Sequence, residues 1–452
     1  MCGIVGIYDH EEASTLSYLC LYALQHRGQE AGGIVSWDGD KSFVEKGVGL
    51  ISDVFADKDT MNRLPGKMAI GHNRYSTHGG SGKQNIQPFL FNFQNSSVSI
   101  AHNGNLINLK NTKKMLEDKG AIFQTTSDTE FIIHLFSHSE KDSFEEKMLD
   151  AFGSVQGAFS VVMMHDDKMI VARDKHGLRP LAMSKLDGSY VFVSETCALD
   201  LIGAEYVRDI RPGELLIIDQ DGLRSFTIAE EDKKHCIFEY VYFSRPDSEI
   251  FGTSVDKIRR KFGKILALEK PVSNGDVVIS VPDSSNTAAV GFSQRSEARF
   301  EIGLIRNHYV GRTFIYPSQA VRDFSVKLKF NTIKGVLEGR RVVIVDDSIV
   351  RGTTLKKLVR MIKKANPEEI HIRIASPPVK YPCYYGMDFP SEKELIANQK
   401  SLEEIREHLD VDSLEYLSVD GLLEATKMPE ENFCTACFTK NYIEERKEEE
   451  SL

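Results

Sequence analysis

The stretch RRVVIVDDSIVRGTTLKKLVRMIKKA, residues 340–365, leaves its part of the chain little freedom in how to fold. Val342, Val343, Ile344 and Val345 follow one another with no polar alternation, which suits a strand buried on both faces, as in a parallel sheet. Two carboxylates end the run, a glycine-bearing turn follows, and an amphipathic stretch then reads as a helix. GDVVISVPDSS, residues 275–285, repeats the order of apolar strand and polar turn before a further helical stretch. Two such units predict an α/β domain with a central parallel sheet in the second half.

The first half has a different texture. GIVSW, MAIGH, VSIAHNGN, AFSVVMMHDDKMIVAR and SYVFVSE are short apolar stretches broken by Gly, Asn and Ser, and they read as strands joined by tight turns. Helical patterns such as Thr129 to Ser137 lie between them, as expected of sheet layers covered by helices. The charged segment EEDKKH, Glu230 to His235, marks the boundary, giving domains at 2–230 and 231–452. The chain has 452 residues, 41% hydrophobic and 27% charged, enough to bury a core in each domain. A net charge of −10 argues against nucleic-acid binding. No apolar run is long enough to span a membrane, and no basic segment followed by a hydrophobic stretch marks a signal peptide. A cytoplasmic location is therefore expected. In a reducing compartment the seven cysteines are expected to be catalytic, metal-binding or buried rather than disulfide-bonded.

Asp346 and Asp347 stand at the carboxyl end of their strand, where open α/β sheets bind ligands. The turn from Ser348 to Thr354 offers backbone N–H groups, hydroxyls at Ser348, Thr353 and Thr354, and close approach at Gly352, all suited to a phosphate at a helix start. The carboxylates suit vicinal hydroxyls or a hydrated Mg²⁺. A ribose 5-phosphate satisfies both halves of this motif, although an acid pair that merely caps a helix has the same spacing. Ser284 and Ser285, after the second strand, offer hydroxyls to a pyrophosphate. From Arg306 to Arg341 the chain carries eight Lys or Arg against Asp323 and Glu338, a local basic field in which Gly311 and Pro317 shape a closing loop.

At the other end, MCGIVGI places a thiol directly behind Met1. If Met1 is removed, Cys2 carries both a nucleophile and an α-amine, whose reference pKa of about 8 suits a general base. GHNRYSTHG sets Arg74 in a polar turn, AHNGN offers the Asn103 amide and the Gly104 N–H as oxyanion donors, and TTSDTE places Asp128 at a helix start, where a carboxylate often serves only as a cap. Singly each has a structural reading. Together they make a receptor for glutamine: Arg74 for the α-carboxylate, Asp128 for the α-ammonium, and Asn103 with Gly104 for the amide oxygen.

MCGIVGI, LQHRGQEAGGI, GHNRYSTHG, AHNGNL, SDTE and GLRPL resemble the class II glutamine amidotransferase domain, and VVIVDDSIVRGTT resembles the phosphoribosyl-pyrophosphate (PRPP) signature of type I phosphoribosyltransferases. Joined to YFSRPDS, NHYVGRTFIYPSQAVR and SPP, they make almost the whole chain similar to the amidophosphoribosyltransferases. The resemblance implies an N-terminal-nucleophile αββα sandwich followed by a phosphoribosyltransferase-type α/β domain. It implies an enzyme that moves ammonia from glutamine to PRPP, giving 5-phosphoribosylamine, glutamate and pyrophosphate, the first committed step of purine synthesis. By position, Cys2 is the nucleophile, Asn103 and Gly104 form the oxyanion hole, and Arg74 and Asp128 bind glutamine. Asp346, Asp347, Ser348, Arg351, Gly352, Thr353 and Thr354 bind PRPP, with Ser284, Asp346 and Asp347 approaching Mg²⁺. A homotetramer inhibited by purine nucleotides is implied as well. A non-catalytic PRPP sensor, or a class II amidotransferase with another acceptor, remain the alternatives; the chain shows neither sugar-isomerase repeats nor an ATP-binding SGGxDS loop.

Cys236, Cys383, Cys434 and Cys437 match no ferredoxin spacing, so a zinc site or four unrelated thiols fit the residues equally well. HCIFEYVYFSRPDS, YPCYYGMDFPS and CTACFT resemble the ligand segments of the iron–sulfur subclass, which implies a structural 4Fe-4S cluster with no part in the chemistry. Cys20 and Cys197 read as buried apolar positions. The charged end EERKEEESL reads as a frayed tail, and the polar stretch SQRSEARFEIGL as a helix beside the core of the second domain.

Overall fold

A computed structural model describes residues 1–57, 59–75, 82–93, 96–307, 329–389 and 391–446. The expected closing loop around Gly311 and Pro317 lies outside them.

Two antiparallel sheets fill the first half. One runs in the order Glu205–Asp209, Ala182–Leu186, Ser189–Val193, Gly3–Tyr8, Met68–Arg74, Ala31–Trp37, Ser42–Val48. The other runs Gly222–Thr227, Glu214–Asp219, Lys168–Arg173, Gln156–His165, Ser96–Ile107, Phe89–Phe93. Successive side chains on a strand point to opposite faces, and both faces are buried here. Ile4, Ile70, Val162 and Leu216 pack between the sheets. Val5 and Ile7 turn outward onto the helix Ala13–Ala23, where Cys20 and Cys197 are buried among apolar neighbours. Ile100 and Val161 on the other sheet pack beneath the helices Glu130–Ser137 and Phe144–Gly153 through Phe131 and Phe152. The result is an αββα sandwich.

The second half is built on a parallel sheet ordered Arg299–Phe300, Val277–Ser280, Arg341–Asp346, Glu369–Ile374, Ser413–Tyr416. Val343 and Val345 meet Phe262 and Ala289, from the helices Val255–Glu269 and Asn286–Ser293. Val342 and Ile344 meet Leu358 and Ile362 of the helix Thr353–Lys363 on the opposite face. Burial on both sides is why the apolar run shows no alternation. The polar stretch SQRSEARFEIGL is not one helix: Asn286–Ser293 ends at its start, and Arg299–Phe300 is a two-residue edge strand.

His235–Cys236 pairs in parallel with Phe433–Cys434, tying the start of the second half to its end. Of the charged end, Glu444 to Arg446 are docked; positions 447–452 lie outside the described residues. The Gly157 N–H donates to Glu444 Oε2 at 2.9 Å, and the Arg446 guanidinium lies 4.5 Å from the centre of the Tyr384 ring.

Candidate active site

Cys2 immediately precedes the strand Gly3–Tyr8, which the strand Met68–Arg74 flanks with Asn73 opposite Gly3. Its N–H donates to Asn103 Oδ1 at 3.0 Å, its carbonyl accepts from Arg27 Nε at 2.9 Å, and its Sγ lies 3.7 Å from the Tyr75 carbonyl. Cys2, Arg74, Gly104 and Asp128 line one cavity, so the structure brings these sequence candidates together with Asn103 behind them. Asn103 is fully buried, and its Nδ2 has no hydrogen-bond partner among the described residues. A buried donor without an acceptor is costly unless a ligand supplies one. Gly104 is confined: a Cβ there would run into the Ala158 carbonyl and lie 2.8 Å from His102 Nε2.

Two local expectations change. Arg74 is the buried last residue of its strand rather than part of a turn; positions 76–79 of GHNRYSTHG lie outside the described residues. Asp128 is not the helix cap. Its Oδ2 accepts from the Leu106 N–H at 2.7 Å, and the helix begins two residues later without a side-chain cap. Glu130 instead accepts from the N–H groups of Gln124 and Thr125, both at 2.7 Å. Asp128 is thereby fixed against the end of the strand that carries Asn103.

Further residues complete the cavity wall. The His102 N–H donates to Gln87 Oε1 at 2.8 Å, and His102 Nδ1 lies 2.9 Å from Thr129 Oγ1. Burial, then Arg74, pushes His72 down to about 3, which keeps it neutral at working pH.

Beneath the nucleophile lies a buried ionic cluster. Arg27 donates to Glu195 and, through Nη2 at 2.9 Å, to Glu239 Oε1. Ser248 and Ser244 donate to Glu195 and Glu239 respectively, each at 2.7 Å, and His26 Nε2 lies 2.8 Å from Glu195 Oε1. Burial alone would raise the Glu195 carboxyl, but His26 and Arg27 outweigh it and hold the group well below the usual carboxylate range. Arg259 donates to the carbonyls of Tyr240 at 2.6 Å and Ser244 at 2.7 Å. The motifs LQHRGQE and YFSRPDS meet in this cluster. Sequence reading gave Arg27 and Glu239 no role, since a charge shows its importance only once its partner is known.

In the second half, Ser285 Oγ donates to Asp346 Oδ1 at 2.9 Å and Asp347 Oδ2 at 3.3 Å, the Asp347 N–H donates to Asp346 Oδ1 at 2.9 Å, and Ser348 Oγ donates to Asp347 Oδ1 at 2.6 Å. Ser284 also bonds Asp347. Burial, then repulsion from Asp347, pushes the Asp346 carboxyl well above its usual range, and burial raises Asp347 as well. Such a pair calls for a cation or for hydroxyl donors. Gly352 adopts φ +74° immediately before the helix Thr353–Lys363, a backbone that favours glycine. Arg351, Thr353 and Thr354 are exposed around it. Of the expected basic field, Arg312, Arg322 and Lys327 lie outside the described residues, while Arg340 pairs with Glu301 and Arg341 with Asp276, each at 3.1 Å. Arg306 pairs with Asp283 at 2.8 Å, in a cavity that also holds Ser284 and Arg259 and reaches His26 of the first half.

Cys236, Cys383, Cys434 and Cys437 line one small cavity with Arg179, Phe238 and Tyr385. Burial and the neighbouring thiols push Cys434 up to about 12 and Cys437 well above its ordinary value. Among the described residues no group of three His, Cys, Asp or Glu side chains is placed to hold a single metal ion.

A profile of the glutamine amidotransferase domain matches residues 72–201, and one of the phosphoribosyl transferase domain matches residues 254–377. Amidophosphoribosyltransferase 1, chloroplastic, of Arabidopsis thaliana is 52% identical over 444 residues, covering 98% of this chain and 78% of that protein. The amidophosphoribosyltransferase of Bacillus subtilis is 47% identical over 447 residues, covering 98% and 94%. The solved structure of glutamine PRPP amidotransferase from B. subtilis, complexed with ADP and GMP, superposes with a TM-score of 0.93 at 46% identity, covering 99% of this chain and 98% of that one.

Proposed function

The chain belongs to the amidophosphoribosyltransferase family, and from that premise we propose that it takes ammonia from glutamine to C1 of PRPP, releasing glutamate and pyrophosphate and forming 5-phosphoribosylamine, the first committed step of purine nucleotide synthesis. Asn103 is the observation that carries the reading for this chain. Its Oδ1 holds the backbone of Cys2 while its buried Nδ2 waits for an acceptor beside the nucleophile.

The Cys2 thiolate attacks the glutamine side-chain amide carbon. The Cys2 amine takes the thiol proton as the sulfur attacks, Asn103 Nδ2 and the Gly104 N–H receive the developing oxyanion, and the amine returns that proton to the departing ammonia, leaving a glutamyl thioester that water cleaves. Arg74 and Asp128 hold the α-carboxylate and α-ammonium. The Cys2 amine exists only once Met1 is removed. Ammonia then attacks C1 of PRPP as pyrophosphate leaves, a step that depends mainly on positioning. Asp346 and Asp347 receive the ribose hydroxyls, and Ser348, Arg351, Gly352, Thr353 and Thr354 the 5′-phosphate. Mg²⁺, held near Ser284, Asp346 and Asp347, would supply charge neutralisation on the pyrophosphate; the raised carboxyls fit a cation.

The reading extends to a 4Fe-4S cluster on the four cysteines, with zinc as the alternative, supported by the resemblance of their segments and by their gathering around one small cavity. Brown colour in anaerobically purified protein checks this. The homotetramer, inhibition by purine nucleotides, a cytoplasmic location and division at 230/231 belong to the same proposal; among the described residues no helix is long and apolar enough to cross a membrane. The deciding assay supplies purified protein with glutamine, PRPP and Mg²⁺ and measures glutamate and pyrophosphate together. Glutamate without pyrophosphate would point to another acceptor, and neither product to a PRPP sensor.

A further inference from the structure

We propose that Gly386, in the phosphoribosyl half, is a positioning residue for the oxyanion side of the glutamine site; the inference rests on the glutaminase reading above. The loop Cys383–Gly386 lies against the end of the strand Ser96–Ile107, which carries Asn103 and Gly104. Asn105 Nδ2 donates to the Tyr384 carbonyl at 2.8 Å. Arg179 donates to the Tyr385 carbonyl through Nε at 3.1 Å and through Nη2. The Tyr385 ring is buried with Ile107, Ala158 and Leu178. These contacts bring Gly386 onto the backbone of Gly104, so that a Cβ on Gly386 would lie 3.1 Å from both the carbonyl carbon and oxygen of Gly104 and 3.4 Å from its Cα. Gly386 also has φ +102°, a backbone that side chains rarely adopt.

Gly104 is held on its other side as well, since a Cβ there would strike the Ala158 carbonyl and crowd His102. The Gly104 backbone is thus clamped between its own sheet and a loop from the other half, with no slack on either side. Oxyanion donors act through fixed placement, and a shift of a few tenths of an ångström weakens them in the transition state more than in the ground state. The loop is anchored within the second half: Tyr442 OH donates to the Pro382 carbonyl at 2.9 Å, and the Tyr385 N–H donates to Cys383 Sγ at 3.3 Å. The second half therefore sets the geometry in which the first half does its chemistry.

Gly386→Ala tests this against wild type in one preparation each. The glutaminase kcat should fall roughly 10- to 100-fold, less than complete loss of an oxyanion donor. KM for glutamine should stay within about two-fold, the pattern of an interaction made only in the transition state. Inhibition by the γ-aldehyde analogue of glutamine, which forms a tetrahedral adduct with Cys2, should weaken by the same factor as kcat, while ammonia-driven amination of PRPP is retained. Asn105→Ala removes one anchor of the loop without adding bulk and should give a smaller fall of the same kind; it decides the question alone if Gly386→Ala does not fold. An unchanged kcat, a fall shared by the ammonia-driven reaction, or a higher KM at constant kcat overturns the inference. Wild-type protein lacking Cys2-dependent glutaminase would overturn the functional reading itself.

Discussion

At the glutamine site the polar groups are buried and already placed: Asn103 holds Cys2, Leu106 holds Asp128, and Gln87 and Thr129 hold His102. At the phosphoribosyl site Asp347 is buried, Asp346 half-buried and both bonded to Ser285, but Arg351, Thr353 and Thr354 face water. Covalent chemistry on an uncharged amide needs geometry fixed to a few tenths of an ångström before the substrate arrives. A polyphosphate brings its own charge from water, and a site for it works with exposed donors that gain partners only on binding. Damage to the first site should therefore be close to all-or-none, and damage to the second graded by burial.

The sharpest way to break that comparison is Cys2→Ala. Glutamine-dependent synthesis should fall by roughly 10⁴-fold or more, the scale for loss of a nucleophile. Synthesis with ammonia should persist. Loss of both reactions would show that the two sites are not separable. Asp346→Asn comes next: PRPP use should drop on the order of 10²-fold with either nitrogen source, the size expected for one group facing transition-state charge. Glutamate release without PRPP should continue at the wild-type basal rate.

A third change probes the cluster between the sites. Glu195→Gln should lower stability by about 3 kcal/mol at neutral pH, the scale for breaking a buried ion pair. The pH dependence follows from the depressed carboxyl. A group held below its unfolded value stabilises the fold fully above that unfolded value, and the contribution is lost as pH falls through the folded one. The gap in melting temperature between wild type and Glu195→Gln should be full above about pH 5, near the unfolded glutamate value, and should narrow in stronger acid. A gap that widens in acid would remove Glu195 from the ion pair.

The sites differ in how much of each the sequence disclosed. Val342 to Val345 and the acids behind them read directly, because a strand buried on both faces and a polar turn at its end are local patterns. Cys2, Asn103 and Asp128 were legible as chemistry but not as placement: Asp128 looked like a cap because its partner, Leu106, is 22 residues away. Arg27, Glu239 and Gly386 carried no local signal. The first two meet across 212 residues, and Gly386 must lack a side chain because Gly104 lies against it and because its backbone has φ +102°. Periodicity reports which faces are buried; it does not report which distant segment covers them.

The smallest effect, at Arg351, tests the exposed side of the comparison most finely. Its guanidinium lies 3.2 Å from Glu394, and both side chains are 52% exposed. Such a surface pair contributes little, so Arg351→Ala should change stability by less than about 0.5 kcal/mol. If Arg351 receives the 5′-phosphate, Glu394 competes with the ligand for it. Arg351→Ala should then raise KM for PRPP a few-fold, whereas Glu394→Gln should lower it, and both shifts should shrink as added salt screens exposed charge. Opposite signs from two partners of one ion pair cannot come from lost stability, which would move both variants the same way. Equal and parallel changes in KM would instead place the phosphate on the backbone and hydroxyls of Gly352, Thr353 and Thr354 alone.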